Sequence, residues 1–370
     1  MDEDWAVLST FFPEDWETLA ERSGALKGLR KDKSAENLLR VLLMHVGCGH
    51  SLRETAVRAR QAGLADLSDV ALMKRLKKSR DWLQSLCVAS FRDNGLSLAS
   101  AGSDLQVRAF DATTVKEPGK TGSLWRLHYS VSLPSLSCDF FKITETTGPG
   151  TGESFRQFPV RAGDLILADR GYSNPTGIAY ATGAGGHVTV RVNTQTLILS
   201  GPEGKRFDLL EALSSLKRPG AAGSWPVRVV NGGRSIPGRL CALRKSEAAT
   251  RLAHKKLRQK ASKKCQVLKP QTLQYAKHAI LFTTFPPADF SEHDILEWYR
   301  LRWQVELVFK RFKSLARMGH VPKHDSDSAK AWLYGKLFTA LLVEKLIAHA
   351  TAVSPWGYEL PRAATGQPVA

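Results

Sequence analysis

Asp164-Leu165-Ile166-Leu167-Ala168-Asp169 is a run of apolar residues closed at each end by an acid. It is too short for a helix and lacks the alternation of a half-exposed strand, so it reads as a strand buried on both faces. Such a strand needs neighbours on either side in a sheet and helices packed over it. The sequence outward from it supplies both.

Upstream, Leu105, Val107, Ala109 and Asp111 share one face of an alternating run that ends at the aspartate. Trp125, Leu127, Tyr129, Val131 and Leu133 then fall on one side of a second strand, with Arg126, His128, Ser130 and Ser132 on the other. A third strand covers Asp139 to Thr144, joined to the second by the Pro-containing link Pro134 to Ser137, so these two read as antiparallel neighbours. Gly150 to Phe158 reads as a short helix before the buried strand. Downstream, a helix through Pro175 to Thr182 and a fifth strand at His187 to Asn193 complete the alternation. The expectation is an α/β fold, a mixed five-stranded sheet flanked by helices.

Residues 194–287 break that alternation and read as an insertion. Strand-like pieces lie at Trp225 to Val230, Arg239 to Arg244 and Ala279 to Thr284, among turn residues such as Gly232-Gly233 and Pro237-Gly238. Between them Arg244 to Lys264 is dense in Lys and Arg, which suits either a solvated face or a basic arm on DNA phosphates. From Ser291 the pattern is helical again. Residues 1–100 also look helical: Ser34 precedes a capped apolar run, and Ser51 and Ser68 each open a short helix, the first ending near Gly63. The second carries Lys74 and Arg75, an arrangement that suits DNA reading or an ordinary bundle with a solvated basic face. The organisation expected from pattern is thus 1–100 helical, 101–193 the first part of a mixed-sheet domain, 194–287 a mostly β insertion, 288–350 that domain's helical second part, and 351–370 a tail, read as disordered from Pro361.

The 370 residues carry 53 Lys+Arg against 35 Asp+Glu, a net charge of +18, and the cations cluster, which points to a polyanionic partner. Five scattered cysteines with no Cys-x-x-Cys pair argue against a zinc or dithiol site and for a reduced, cytoplasmic protein. The acidic start Met1-Asp2-Glu3-Asp4 is unlike a secretory signal, and Glu344 and Lys345 inside the apolar stretch Leu337 to Ala350 argue for a buried helix over a membrane span.

The chemistry concentrates in Tyr299 to Lys313. At about 100° per residue, Tyr299, Arg302, Glu306, Lys310 and Lys313 share one helix face, while Leu301, Val305, Val308, Phe312 and Leu315 form a separate apolar stripe. Glu306 amid these cations is either an ion-pair partner of Arg302 and Lys310 or a ligand. Asp111 and Asp169, taken singly, read as caps at strand ends. Taken together with Glu306, they would make an oxygen-rich site for Mg²⁺.

Tyr299, Arg302, Glu306 and Lys313, spaced by two, three and six residues with Trp303 after the arginine, resemble the signature of DDE transposases of the bacterial insertion-sequence-four (IS-four) family. Phe110-Asp111-Ala112-Thr113-Thr114-Val115, Pro118-Gly119 and Trp125-Arg126-Leu127-His128-Tyr129 resemble that family's first aspartate context, and Ala168-Asp169-Arg170-Gly171-Tyr172 its second. The similarity extends upstream to Leu67-Ser68-Asp69-Val70-Ala71-Leu72 and Lys74-Arg75-Leu76.

The resemblance makes 1–100 a DNA-binding region and implies that the sheet domain is a ribonuclease H-like catalytic domain with a mostly β insertion before the glutamate helix. It also implies a catalytic and metal-binding triad of Asp111, Asp169 and Glu306 holding two Mg²⁺ ions, for which Mn²⁺ substitutes. Cut-and-paste transposition would follow, through a hairpin at the transposon end, on double-stranded terminal inverted repeats and target DNA. A homodimer would bring two ends together, in the bacterial cytosol and on the nucleoid when DNA is bound. DNA contacts are expected from Tyr299, Arg302, Trp303, Lys310, Lys313, Arg170, Lys74 and Arg75. A ribonuclease H-like nuclease without strand transfer and a non-catalytic, transposase-derived DNA-binding protein are the alternatives.

Overall fold

The computed structural model describes residues 2–29, 33–93, 106–116, 123–133, 138–302, 321–322 and 325–353. The link Pro134 to Ser137, Pro118-Gly119, Trp303 to Lys313 and the tail from Pro361 lie outside them. The chain clusters into two compact units, one of Met1–Gly95, Val115–Ser123 and Lys310–Ala370, the other of Leu96–Thr114 and Leu124–Phe309.

The first unit is helical: α1 (Asp2–Ser9), α2 (Trp16–Arg22), α3 (Ala35–Val46), α4 (Leu52–Gln61), α5 (Asp69–Lys78), α6 (Arg80–Asp93) and, from the far end of the chain, Ser326–Val353. Ser34, Ser51 and Ser68 cap α3, α4 and α5, each hydroxyl accepting a backbone N–H three residues on. The apolar face of α3, with Leu38, Leu39, Leu42 and Val46 all buried, packs on the last helix. That approach is close, because a Cβ at Gly335 would come within 2.8 Å of Val46. Trp82 is fully buried and satisfies its indole N–H on the Trp16 carbonyl at 2.9 Å. As expected, the segment around Glu344 and Lys345 is helical, and the Lys345 ammonium donates to the Phe11 carbonyl at 3.1 Å. Among the described residues no helix is long and apolar enough to cross a membrane. All five cysteines are free thiols.

The second unit is built on a mixed sheet of β1 (Gln106–Lys116), β2 (Ser123–Leu133), β3 (Cys138–Glu145), β4 (Asp164–Ala168), β5 (His187–Arg191), β6 (Leu199–Ser200), β7 (Ala222–Asn231), β8 (Arg234–Arg244) and β9 (His278–Thr283). Its order is β3-β2-β1-β4-β5-β9-β8-β7-β6. Among the described residues the α-helices of this unit are α7 (Pro175–Gly183), α8 (Leu209–Ser214), α9 (Glu247–Lys263), α10 (Pro270–Ala276) and α11 (Glu292–Leu301). The segment expected as a short helix before β4 is a single 3-10 turn, Phe155–Gln157.

Every residue of β4 is buried, as its unbroken apolar run requires. It pairs in parallel with β1 on one side and β5 on the other. β2 is buried on both faces as well: His128 and Ser130, on the side opposite Trp125 and Tyr129, are fully covered.

Two expectations are corrected. Among the described residues the sheet has nine strands, not five, because β9 pairs antiparallel with β5 and brings β8, β7 and β6 into the same sheet. Val188 and Val190 are fully buried, and an unpaired edge beside them would leave main-chain groups unsatisfied. β9 removes that edge, and Thr189 and Thr283 meet across it through a hydroxyl contact of 2.7 Å. Second, β1 does not end at Asp111 but runs on to Lys116; its other neighbour in the sheet, β2, is equally long, whereas β4 stops at Ala168.

One buried cation ties four strands together. The Arg108 guanidinium donates to Asp139 at 2.7 Å, to Asp164 and the Pro159 carbonyl at 2.8 Å, and to Ser130 at 2.9 Å. Its partners come from β2, β3, β4 and the loop before β4, so it fixes the order of the strands from which the site is built.

Candidate active site

The β1–β4 register sets Phe110 opposite Ala168, so the next residues, Asp111 and Asp169, emerge beside each other from adjacent parallel strands. β4 stops at Ala168 and the chain turns through Arg170–Tyr172, which Asp169 caps by accepting the Gly171 N–H at 2.6 Å. Asp111 accepts the Ala112 N–H at 2.8 Å through Oδ1, and its Oδ2 lies 4.0 Å from Arg302 Nη1.

Arg302 reaches this point from the C-terminal end of α11, whose start is fixed by a capping box between Ser291 and Asp294. Its guanidinium lies 5.6 Å from the Tyr299 ring centroid.

The electrostatics follow from this crowding. Burial first, then the neighbouring Asp169 and Glu153 charges, push the Asp111 carboxyl up to about 7, against the Ala112 N–H and Arg302. Burial likewise raises the Tyr299 phenol, with Arg302 and Arg191 opposing. Burial, followed by repulsion from Arg191, lowers Arg170, which Asp169 partly offsets. Behind the site, burial and the nearby Arg126 and Lys142 hold His128 down at about 4, a neutral ring whose Nε2 meets the Thr144 hydroxyl at 2.9 Å.

Of the residues expected from the sequence, Asp111, Asp169, Tyr299, Arg302 and Arg170 are thus brought within electrostatic reach of one another. Trp303, Glu306, Lys310 and Lys313 lie outside the described residues. Among the described residues no three His, Cys, Asp or Glu side chains stand close enough to hold one metal ion. Lys74 and Arg75 belong to α5 in the helical unit: Lys74 is exposed, while the Arg75 guanidinium is taken up by the Lys27 carbonyl at 2.7 Å and the Gly28 carbonyl.

Glu153 is the residue that sequence reasoning missed. The Arg126 guanidinium holds its loop by donating to the Thr151 carbonyl at 2.7 Å. The Glu153 carboxylate then lies over Gly171, where a Cβ would come within 1.8 Å of its Oε2 and 3.1 Å of Asp169 Oδ1. Burial and the Asp169 charge raise Glu153. A lone acid in a loop carries no pattern of its own. Its only trace is the missing side chain at Gly171, which becomes intelligible once the loop is seen to cross there.

Gly171→Ala should therefore cost about 1 kcal/mol by overpacking, read as a lower urea midpoint. Combining it with Glu153→Ala should recover most of that loss. Additive effects in the double variant would show that the two side chains do not compete for this space.

Residues 102–342 match the family described as "Transposase DDE domain". The putative transposase InsL for insertion sequence element IS186A of Escherichia coli strain K12 is 31% identical over 353 residues, covering 93% of this chain and 94% of that one. The transposase for insertion sequence element IS421 of Escherichia coli is 30% identical over 354 residues, with coverage of 93% and 94%. Among solved structures, a piggyBac transposase synaptic complex with hairpin DNA superposes at a TM-score of 0.47 and 11% identity, covering 93% of this chain and 74% of that one.

Proposed function

As the chain belongs to the transposase DDE domain family, we propose that it is a cut-and-paste DNA transposase that cleaves the terminal inverted repeats of an insertion sequence and joins them to target DNA. The observation that carries this reading is the β1–β4 register, which sets Asp111 beside Asp169 with Arg302 facing them. The strand order β3-β2-β1-β4-β5, with β1, β4 and β5 parallel, supports a ribonuclease H-like core extended by the inserted strands.

The donor set fits a hard divalent cation such as Mg²⁺ or Mn²⁺. Carboxylate oxygens are its preferred ligands, and burial, together with the Asp169 and Glu153 charges, raises Asp111 in a way that a bound cation would offset. Asp111 and Asp169 would hold two such ions with Glu306 as the third ligand, and the ions would stabilise charge on the attacking and leaving oxygens of a phosphodiester.

The chain's own side chains orient the DNA. Arg302 and Tyr299, with Lys310 and Lys313 further along the same sequence motif, hold phosphates near the carboxylates; Arg170 does so from the β4 side, and Trp303 packs against the backbone or a displaced base. In the first step water adds at phosphorus and the 3′-oxygen leaves, taking up a proton. The freed 3′-OH then attacks the opposite strand to form a hairpin, and after the hairpin is reopened it attacks target DNA. Each transfer makes one P–O bond as another breaks. Two ends have to be held at once, so the working form is a homodimer. Lys74 and Arg75, on the second of the two short helices, would contact DNA from the helical unit.

Incubating purified protein with labelled flanking-repeat DNA, target plasmid and Mg²⁺ tests this reading. Cleavage followed by covalent joining of the 3′ end to target is expected. Cleavage without joining would make the protein a nuclease, and binding without cleavage a transposase-derived DNA-binding protein.

The Asp111 shift also sets a pH dependence. Its carboxyl moves from 3.8 to about 7 on folding, so between these values the folded state holds a proton that the unfolded state has lost. The contribution of this group to stability therefore falls as pH rises through that interval and levels off above it. Thermal melts of metal-free protein should show this decline relative to Asp111→Asn, and Mg²⁺ should stabilise the protein above about pH 7 far more than at about pH 5. An identical pH profile in Asp111→Asn would contradict the assignment.

A further inference from the structure

From Ala248 to Ala288 the chain contains no Asp or Glu, and the first part of that stretch lies in α9, a helix of 17 residues or about 25 Å. Thr250 and Ala261 are buried, and His254 is bonded through its ring to the Leu273 carbonyl at 2.9 Å, so one side of α9 is taken up by α10 and its surroundings. The other side is exposed and carries Arg251, Lys255, Lys256, Arg258, Lys260 and Lys263. At about 100° per residue these six occupy two rows flanking the outward direction, Arg251, Lys255 and Arg258 on one side and Lys256, Lys260 and Lys263 on the other. A solvated helix ordinarily mixes signs for i,i+4 pairing, and here the only acid is Glu247 at the N-terminus.

Lys245, immediately before the capping residue Ser246, is half-buried and donates its ammonium to the Ala276 carbonyl at 2.8 Å, so it does not join the exposed cations of α9. A basic amphipathic helix can instead lie on a membrane surface, but that requires a free apolar face. The apolar side of α9 is already covered, and Leu252 is the exposed large hydrophobic residue that it presents.

We infer that the outward face of α9 is a duplex-DNA backbone surface, and that it grips DNA away from the point of cleavage without reading its sequence. This inference rests on the transposase reading and extends it. A polyanion with one charge per ~1.7 Å of axis matches two parallel rows of cations, and each phosphate neutralised contributes about 0.9 to the salt slope of binding.

The test measures binding of full-length protein to a labelled random-sequence duplex against salt concentration. Lys255→Gln, Lys256→Gln, Lys260→Gln and Lys263→Gln together should lower the slope by about two or more. A control set of exposed residues in the same unit, Lys205→Gln, Arg206→Gln, Lys217→Gln and Arg218→Gln, removes the same net charge and should lower it by less than one. Equal changes in the two sets, or an unchanged slope in the α9 set, would overturn the inference while leaving a cleaving wild type and the transposase reading intact. Wild type that neither binds duplex nor cleaves would sink both. Tighter binding to anionic vesicles than to DNA, lost in the α9 set, would assign the face to a lipid surface instead.

Discussion

Asp111→Asn is expected to reduce single-turnover cleavage of terminal-repeat DNA by a thousandfold or more, a loss of roughly 4 kcal/mol of transition-state stabilisation. Asn keeps the size of Asp and can still accept the Ala112 N–H, so the fold has no reason to change. It removes a charge whose ionisation is opposed by burial and by Asp169 and Glu153. The metal-free variant should therefore be at least as stable as wild type near pH 8, and DNA binding should remain measurable. Asp169→Asn and Glu306→Gln should show the same loss of cleavage. Asp169→Asn should also keep the fold, because an Asn there can still accept the Gly171 N–H that caps the turn carrying Arg170. Cutting retained by any purified single variant would remove that residue from the triad.

The largest effect on stability is expected far from the chemistry, at Arg108. Its side chain is only 4% exposed, and it neutralises Asp139 and the almost fully buried Asp164. Arg108→Met leaves both carboxylates in a low-dielectric layer without their cation, at a cost of about 3–5 kcal/mol. Set against a typical domain stability of about 5–15 kcal/mol, that is enough to unfold much of the population at moderate temperature. Urea unfolding followed by tryptophan fluorescence reads it directly. Adding Asp164→Leu should return part of the loss by removing one stranded charge. A shift below about 1 kcal/mol for Arg108→Met would mean that the network is relaxed by water and does not organise the strands.

The contrast between these residues shows what a linear sequence can carry. β4 was legible because an apolar run between two acids has few other interpretations, and the three helix caps at Ser34, Ser51 and Ser68 were legible because hydroxyl-to-N–H capping is local. The inserted strands β7 and β9 could be located from their composition to within three residues of their ends. β8 starts five residues before the expected Arg239 and runs through Pro237-Gly238, read from the sequence as a turn but paired with Arg228 and Val227 of β7. The joining of these strands to β5 could not be read, since pairing between strands far apart in sequence is decided by which buried edge is left open. Arg108 lies on the face of β1 opposite Val107 and Ala109, and only its burial there makes it a structural cation. Glu153 was invisible for a related reason: its meaning lies in a contact with Gly171, across a loop. Asp111 and Asp169 were recognisable as a pair through the family resemblance, and the β1–β4 register now supplies a physical reason for their proximity.

A Mn²⁺-soaked crystal, measured at the manganese absorption edge, tests the metal site most directly. Anomalous peaks within coordination distance of Asp111 and Asp169, with a Glu306 oxygen completing the shell, are the predicted result. Peaks elsewhere, or a Glu306 carboxylate far from both aspartates in the DNA-bound protein, would contradict it.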